Sequence, residues 1–390
     1  MAKFLERILK ISFYFLFFLF PLFWLPFPLE KIEFNKIYLL LFLVSFSFLI
    51  WLAKMLFFER EICWRKNLLN VPILIFLFVT ILATIFSVDK ISSLFGSYQR
   101  FSNGLISLLI FVVFYFLLVN NPVDEKLIKI FFVSIFFVVL LSIFSIFGIF
   151  TKIFPQVGQN FNFISNSFEG LSIFLSVFLV FLVGKILILP KWGPKEIGYF
   201  ILFLLTLFLI CLINFRVSWI LLILSFSIFL IFVLIKRIFR ENINRLLLPI
   251  SLIFLSLIFL FVFKNPLAKF TPELILSQKV SWQISILALK EGPKTFLLGS
   301  GPASWQYLFS KLKPIEFNNS PLWNFRFERS GSHLAEILGT SGILGTISYL
   351  SIFIVFFLVF IFAKEKEFLV SATAFFSAFL AQIFYYQIAL

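Results

Sequence analysis

Residues 217–235 read VSWILLILSFSIFLIFVLI. The stretch carries no charge, and at about 1.5 Å of rise per residue a helix over it covers a hydrocarbon core of about 30 Å. Runs of this kind recur along the whole chain. They predict spans at 11–28, 37–57, 68–86, 104–119, 127–150, 170–189, 197–213, 217–235, 246–263, 335–362 and 367–389. The runs are continuously apolar rather than alternating, which selects helices over the strands of a β-barrel. Composition agrees: of 390 residues 62% are hydrophobic and 13% charged, with 64 Phe against one His. So few polar groups cannot clothe a water-soluble fold. The expected fold class is all-α, a polytopic transmembrane bundle of about eleven spans forming a single integral membrane domain over 1–390.

The net charge of +15 raises the question of nucleic acid. The bases sit in short clusters between apolar runs rather than along one face, so no nucleic-acid partner is expected; membrane lipids are. With the N-terminus inside, eighteen of the 33 Lys and Arg fall in inward segments and six in short outward loops (Lys31, Lys36, Lys90, Arg100, Lys152 and Arg216). The remaining nine lie in one long segment, 264–334. That bias predicts a cytoplasmic N-terminus and an outward-facing 264–334. The first run follows Lys3, Arg7 and Lys10, is interrupted by Pro21, Pro26 and Pro28, and has no small-residue cleavage site, so it reads as a span rather than a leader. Cys63 and Cys211 are too few for a disulfide framework or a metal centre.

The 264–334 segment has the features of an outer cap. Lys279–Lys290 (KVSWQISILALK) sets Trp282, Ile286 and Leu289 on one helical stripe suited to a membrane surface. Gly299, Gly301 and Pro302 then break the chain before a second short helix over Ser304–Leu312.

Little of the familiar repertoire of catalysis is available. No charge sits at a span centre, as an ion-coupled carrier would require, with Glu169, Lys185 and Arg216 all at span ends. There is no phosphate loop, paired-His motif or nucleophile elbow, so neither a cofactor nor a metal is expected. What remains is a set of outward polar groups. Arg216 follows Asn214 between two spans with almost no loop. Arg326 and Arg329 precede His333 in the sequence Ser-Gly-Ser-His, and Arg100 lies in Gly-Ser-Tyr-Gln-Arg-Phe. An arginine at a span end can serve simply as a snorkelling anchor, and a lone histidine as an interfacial residue. The planar guanidinium fork also suits phosphate oxygens, so the set together describes a cationic site for a lipid-linked pyrophosphate.

Four stretches resemble the O-antigen ligase and O-antigen polymerase (Wzy-type) family of bacterial membrane glycosyltransferases. They are FSVDKISSLFGSYQRFSNGL at 86–105, NFRVSW at 214–219, GPKTFLLGSGPASW at 292–305 and SHLAEILGTSGILG at 332–345. They resemble the family's third outer loop, its Ser-Arg-x-x-Trp element, its Pro-x-x-Gly-x-Gly-Pro turn and its His-to-Gly-x-x-Gly segment.

The resemblance implies the metal-independent GT-C class of fold, in the bacterial cytoplasmic membrane. It implies an undecaprenyl-pyrophosphate-linked glycan as donor and a hydroxyl of a glycan, lipid or protein as acceptor. It implies that Arg216 binds the pyrophosphate and that His333 orients or deprotonates the acceptor, with Arg100, Arg326 and Arg329 as further substrate contacts. The chain departs from the pattern in two places. Gly342 follows His333 by nine residues, about two fewer than in typical ligases, and the chain ends after the eleventh span where relatives commonly continue. Ligase and polymerase are not distinguished, and a lipid-linked oligosaccharide flippase or a non-catalytic assembly protein are the other readings of the same chain.

Overall fold

The computed structural model describes the chain apart from residues 1, 26–31, 60–64, 98–99, 122–123, 150–151, 153–160, 166, 190–193, 237–242, 264–265, 267–273, 363–365 and 385–390. Cys63 and the basic residues Lys31, Arg60, Lys191, Arg237, Arg240 and Lys364 lie outside the described residues, as does most of 264–273 at the start of the segment expected to form a cap. Among the described residues there is no strand, and every predicted run overlaps a helix; residues 26–28, 150 and 385–389 of those runs lie outside the described residues. These helices are α1 (Ala2–Leu22), α2 (Glu33–Ala53), α3 (Asn70–Ile85), the short α4 (Lys90–Phe95), α5 (Leu105–Asn120), α6 (Glu125–Ile146), α7 (Phe168–Ile188), α8 (Pro194–Ile213), α9 (Arg216–Ile235) and α10 (Leu247–Phe261). Then come α11 (Gln278–Leu289), α12 (Pro293–Leu298), α13 (Trp305–Leu312), α14 (His333–Phe362) and α15 (Lys366–Phe384).

Among the described residues six helical segments are long and apolar enough to cross a membrane: Glu33–Phe58, Glu125–Ile146, Phe168–Ile188, Arg216–Ile235, Ile243–Phe261 and His333–Phe362. By the length and composition of its helices the chain is a multi-pass membrane protein. Large apolar side chains such as Phe42, Leu49, Phe254 and Phe362 face outward from these helices, an arrangement that lipid tolerates and water does not.

The chain forms two compact units. The first comprises Met1–Val138 and Ile275–Ile352, the second Val139–Leu274 and Phe353–Leu390. In the first, Leu9, Phe13 and Leu16 of α1 pack on Leu40, Leu43 and Val44 of α2, with Leu117 of α5 completing the cluster. The Ser12 and Ser47 hydroxyls pair at 2.8 Å across the α1–α2 contact, and Ser134 of α6 donates to the Phe18 carbonyl at 2.6 Å. A second, smaller core joins Ile284 and Ala288 of α11 to Trp305, Leu308 and Phe309 of α13 and to Phe327.

In the second unit α7 is buried along most of its length. Hydroxyls again bridge helices in a setting where apolar attraction between them is weak. Ser172 of α7 meets Ser218 of α9 at 2.8 Å, and Ser225 of α9 donates to Ser377 of α15 at 2.9 Å.

Two expectations are refined. On α11, Trp282 and Ile286 face outward as the stripe requires, but Leu289 is half-buried. The inward face is small and hydroxylated: Ser281, Ile284, Ser285 and Ala288. The apolar run at 335–362, expected as one span, is broken near its start at Gly342, which has φ 66° and ψ −167°.

Candidate functional site

Three of the four motif stretches converge in the first unit. Residues 299–304 form a turn with Gly299 at φ 69°, Gly301 at φ 109° and Ala303 at φ 57°. Its amides reach the first turns of α14: Gly301 N–H donates to the Thr340 carbonyl at 2.7 Å and Ser300 N–H to Gly339 at 3.3 Å. On its other side the Ser300 carbonyl accepts from Val88 N–H at 3.0 Å and from the Ser87 hydroxyl at 3.1 Å. Ser93 of α4 donates to the Pro302 carbonyl at 2.7 Å. Segments 86–96, 299–304 and 339–342 thus share one hydrogen-bond network, fully buried at Ser93 and nearly so at Ser300.

Next to this network lies a cluster of charges. Arg100 is 2% exposed, and its guanidinium stands 3.8 Å from the Glu336 carboxylate. The same Glu336 oxygen accepts from the Asn103 side-chain amide at 3.1 Å, and the other accepts from Ser330 N–H at 3.0 Å. Glu33, the first residue of α2, accepts from both the backbone N–H and the hydroxyl of Ser102, and faces Arg329 at 3.8 Å. Phe34 meets Phe101 edge to face at 5.2 Å. The 100–103 segment is therefore held on one side by the head of α2 and on the other by the head of α14. Glu33 and Glu336 both occupy the first turn of their helices, where unpaired backbone N–H groups and the helix dipole favour an anion.

His333 opens α14 one turn before Glu336. Its ring stands edge-on to Tyr349 at 5.5 Å. The turn before it is clasped by α11. Ser281 accepts from Gly331 N–H at 2.8 Å, the Gln278 side chain donates to the Gly331 carbonyl, and Ser285 donates to the Ala335 carbonyl. The hydroxylated face of α11 thus has a purpose: it grips the turn that carries the histidine.

The structure brings His333, Arg100 and Arg329 together. Arg326 belongs to the same unit but is exposed. Arg216 belongs to the second unit, exposed at the first position of α9. Its place there is set by its neighbours. Asn214, at φ 47°, accepts from the Trp219 indole N–H at 2.7 Å and donates to the Phe263 carbonyl at 2.9 Å. Trp219 is wholly buried and stacks on Phe259 at 4.6 Å. The Asn–x–Arg–x–x–Trp spacing is a turn lock that leaves the arginine facing outward.

Sequence reasoning missed Glu33, Glu336, Ser102 and Asn103. A usable signal existed: a carboxylate in the first turn of an apolar helix is a candidate partner for a cation, and Arg100 and Arg329 are cations between apolar runs. Among the described residues no group of three or more His, Cys, Asp or Glu could hold a metal ion. No family model matches the chain, and no curated protein matches it.

Proposed function

We propose that the chain is a glycosyltransferase of the O-antigen ligase or polymerase type. It moves a glycan from undecaprenyl pyrophosphate to an acceptor hydroxyl at the outer face of the bacterial cytoplasmic membrane, with segment 264–334 as the outer cap. The observation that carries this reading is the convergence of the 86–105, 292–305 and 332–345 stretches on one unit, around His333, Arg100 and Glu336. These stretches carry the family resemblance, and they build one buried polar cluster although they are far apart in the chain.

In this reading the acceptor oxygen attacks the anomeric carbon, its proton passes to His333, and the bond from that carbon to the phosphate oxygen breaks. The pyrophosphate leaves as an anion. Fixed guanidinium groups offset the charge that develops on it, the task a metal performs in other transferases. Arg326, exposed in the unit that holds His333, is the group assigned to contact the donor there; Arg100 and Arg329, each facing a carboxylate, hold the site's shape. An ion-coupled carrier is the weaker reading because Glu33, Glu169 and Glu336 all sit in first turns rather than midway along a span.

Purified protein in detergent, supplied with labelled donor and acceptor, should yield glycosylated acceptor and free undecaprenyl pyrophosphate. If intact donor instead crossed the bilayer of a vesicle without release of undecaprenyl pyrophosphate, the protein would be a flippase.

A further inference from the structure

We infer that Glu336 is a positioning residue for His333, acting as one unit with Arg100. The inference rests on the transfer reading above and adds a residue to it. Glu336 lies on α14 one turn beyond His333, and its two carboxylate oxygens face different segments. One reaches back to Ser330 N–H, closing the turn 330–332 that leads into His333; the other faces Arg100 and Asn103 on the 100–103 segment. Both charged partners are almost inaccessible, at 2% for Arg100 and 4% for Glu336. Neither is therefore placed to meet a diphosphate, and each is the other's charge compensation. Pre-existing contacts of this kind set the position of a catalytic side chain before substrate arrives.

The pair also explains why Asn103 and Ser102 stand side by side. Asn103 serves Glu336 while Ser102 serves Glu33, whose other oxygen faces Arg329, three residues before Ser332. The turn before His333 is thus tied at both ends to the same short segment, with α11 gripping it between them at Gly331. A shift of either tie moves the imidazole.

The test separates position from stability. Glu336→Gln and Arg100→Gln each remove one member of a buried charge pair and are expected to lower the melting temperature. The double variant removes both charges, and its melting temperature is expected to return close to the wild-type value. Transfer should not return with it: kcat is expected to stay about 10- to 100-fold below wild type, with donor KM within about twofold. Wild-type kcat in a well-folded double variant, or a raised KM at unchanged kcat, would overturn the inference.

If the double variant fails to fold, Glu336→Asp decides. It keeps both charges but withdraws the carboxylate by one methylene, and a wild-type kcat there overturns the inference equally. His333 is the single histidine of the chain, so [15N]histidine spectra report on it alone. If the wild type transfers nothing, the function proposed above fails. The geometric claim is still tested, because it requires the imidazole resonances to move in Glu336→Asp, and unmoved resonances refute it.

Discussion

Gly299 and Gly342 meet backbone to backbone. A β-carbon on Gly342 would lie 2.7 Å from the Gly299 nitrogen and 2.5 Å from the Leu297 carbonyl carbon; one on Gly299 would lie 2.4 Å from the Thr340 carbonyl. Both residues have positive φ, at 69° and 66°. Gly342→Ala is therefore expected to lower unfolding stability by about 1–3 kcal/mol or more, from backbone strain added to overpacking. Gly198→Ala is the matched control. Its β-carbon would meet nothing within 4 Å, in the interior of α8, so it should be neutral or stabilising by up to about 1 kcal/mol. Thermal unfolding of both variants in one detergent checks the contrast.

The Asn214–Trp219 lock gives a second prediction. Asn214→Ala leaves a buried indole N–H with no acceptor and puts alanine at φ 47°. The expected loss is about 2–4 kcal/mol. Asn214→Gly relieves the backbone part alone and should recover about 1 kcal/mol of it. Equal stability of the two variants would show that the left-handed geometry contributes nothing.

Asp89 caps α4, accepting from Ile91 N–H and Ser92 N–H at 3.1 Å each and from the Ser92 hydroxyl at 2.6 Å. The hydrogen bond from the Ser92 side chain is the largest cause holding its carboxyl below the usual carboxylate range. A group with a folded pKa below its unfolded value contributes stability that is complete above the unfolded pKa and fades as pH falls through the folded one. Protection of the amides of residues 91–95 against hydrogen exchange should thus hold at neutral pH and weaken in acid. Asp89→Asn should remove that acid dependence.

Across the second unit the Ser225–Ser377 hydrogen bond offers a measurable coupling. A double-mutant cycle with alanine at both positions is expected to give about 0.6 kcal/mol, typical of hydroxyl pairs between membrane helices. Zero coupling would reduce the pair to packing.

How far the sequence could be read follows from the range of the interactions involved. Helix positions depend on local apolar runs, so every predicted run overlaps a helix, and the two short helices expected at 279–290 and 304–312 are seen at Gln278–Leu289 and Trp305–Leu312. The break at Gly342 was not legible, because it depends on the backbone at 297–299 passing close by, and nothing in the apolar run itself announces that neighbour. The basic side chains of the candidate site stand out as charges between apolar runs. Their anions do not, since Glu33 and Glu336 sit at helix heads and acquire partners only when 100–103 and 329–330 are brought to them. Long-range pairing, rather than residue type, is the missing information.

The most direct test of the central claim is the release of free undecaprenyl pyrophosphate from a labelled undecaprenyl-pyrophosphate glycan, in the presence of acceptor, by purified wild-type protein and His333→Ala. The wild type should release it with glycan appearing on the acceptor, and His333→Ala should do so about 10²- to 10⁴-fold more slowly while remaining folded. A folded wild type that releases nothing, or a His333→Ala protein as fast as the wild type, would contradict the account.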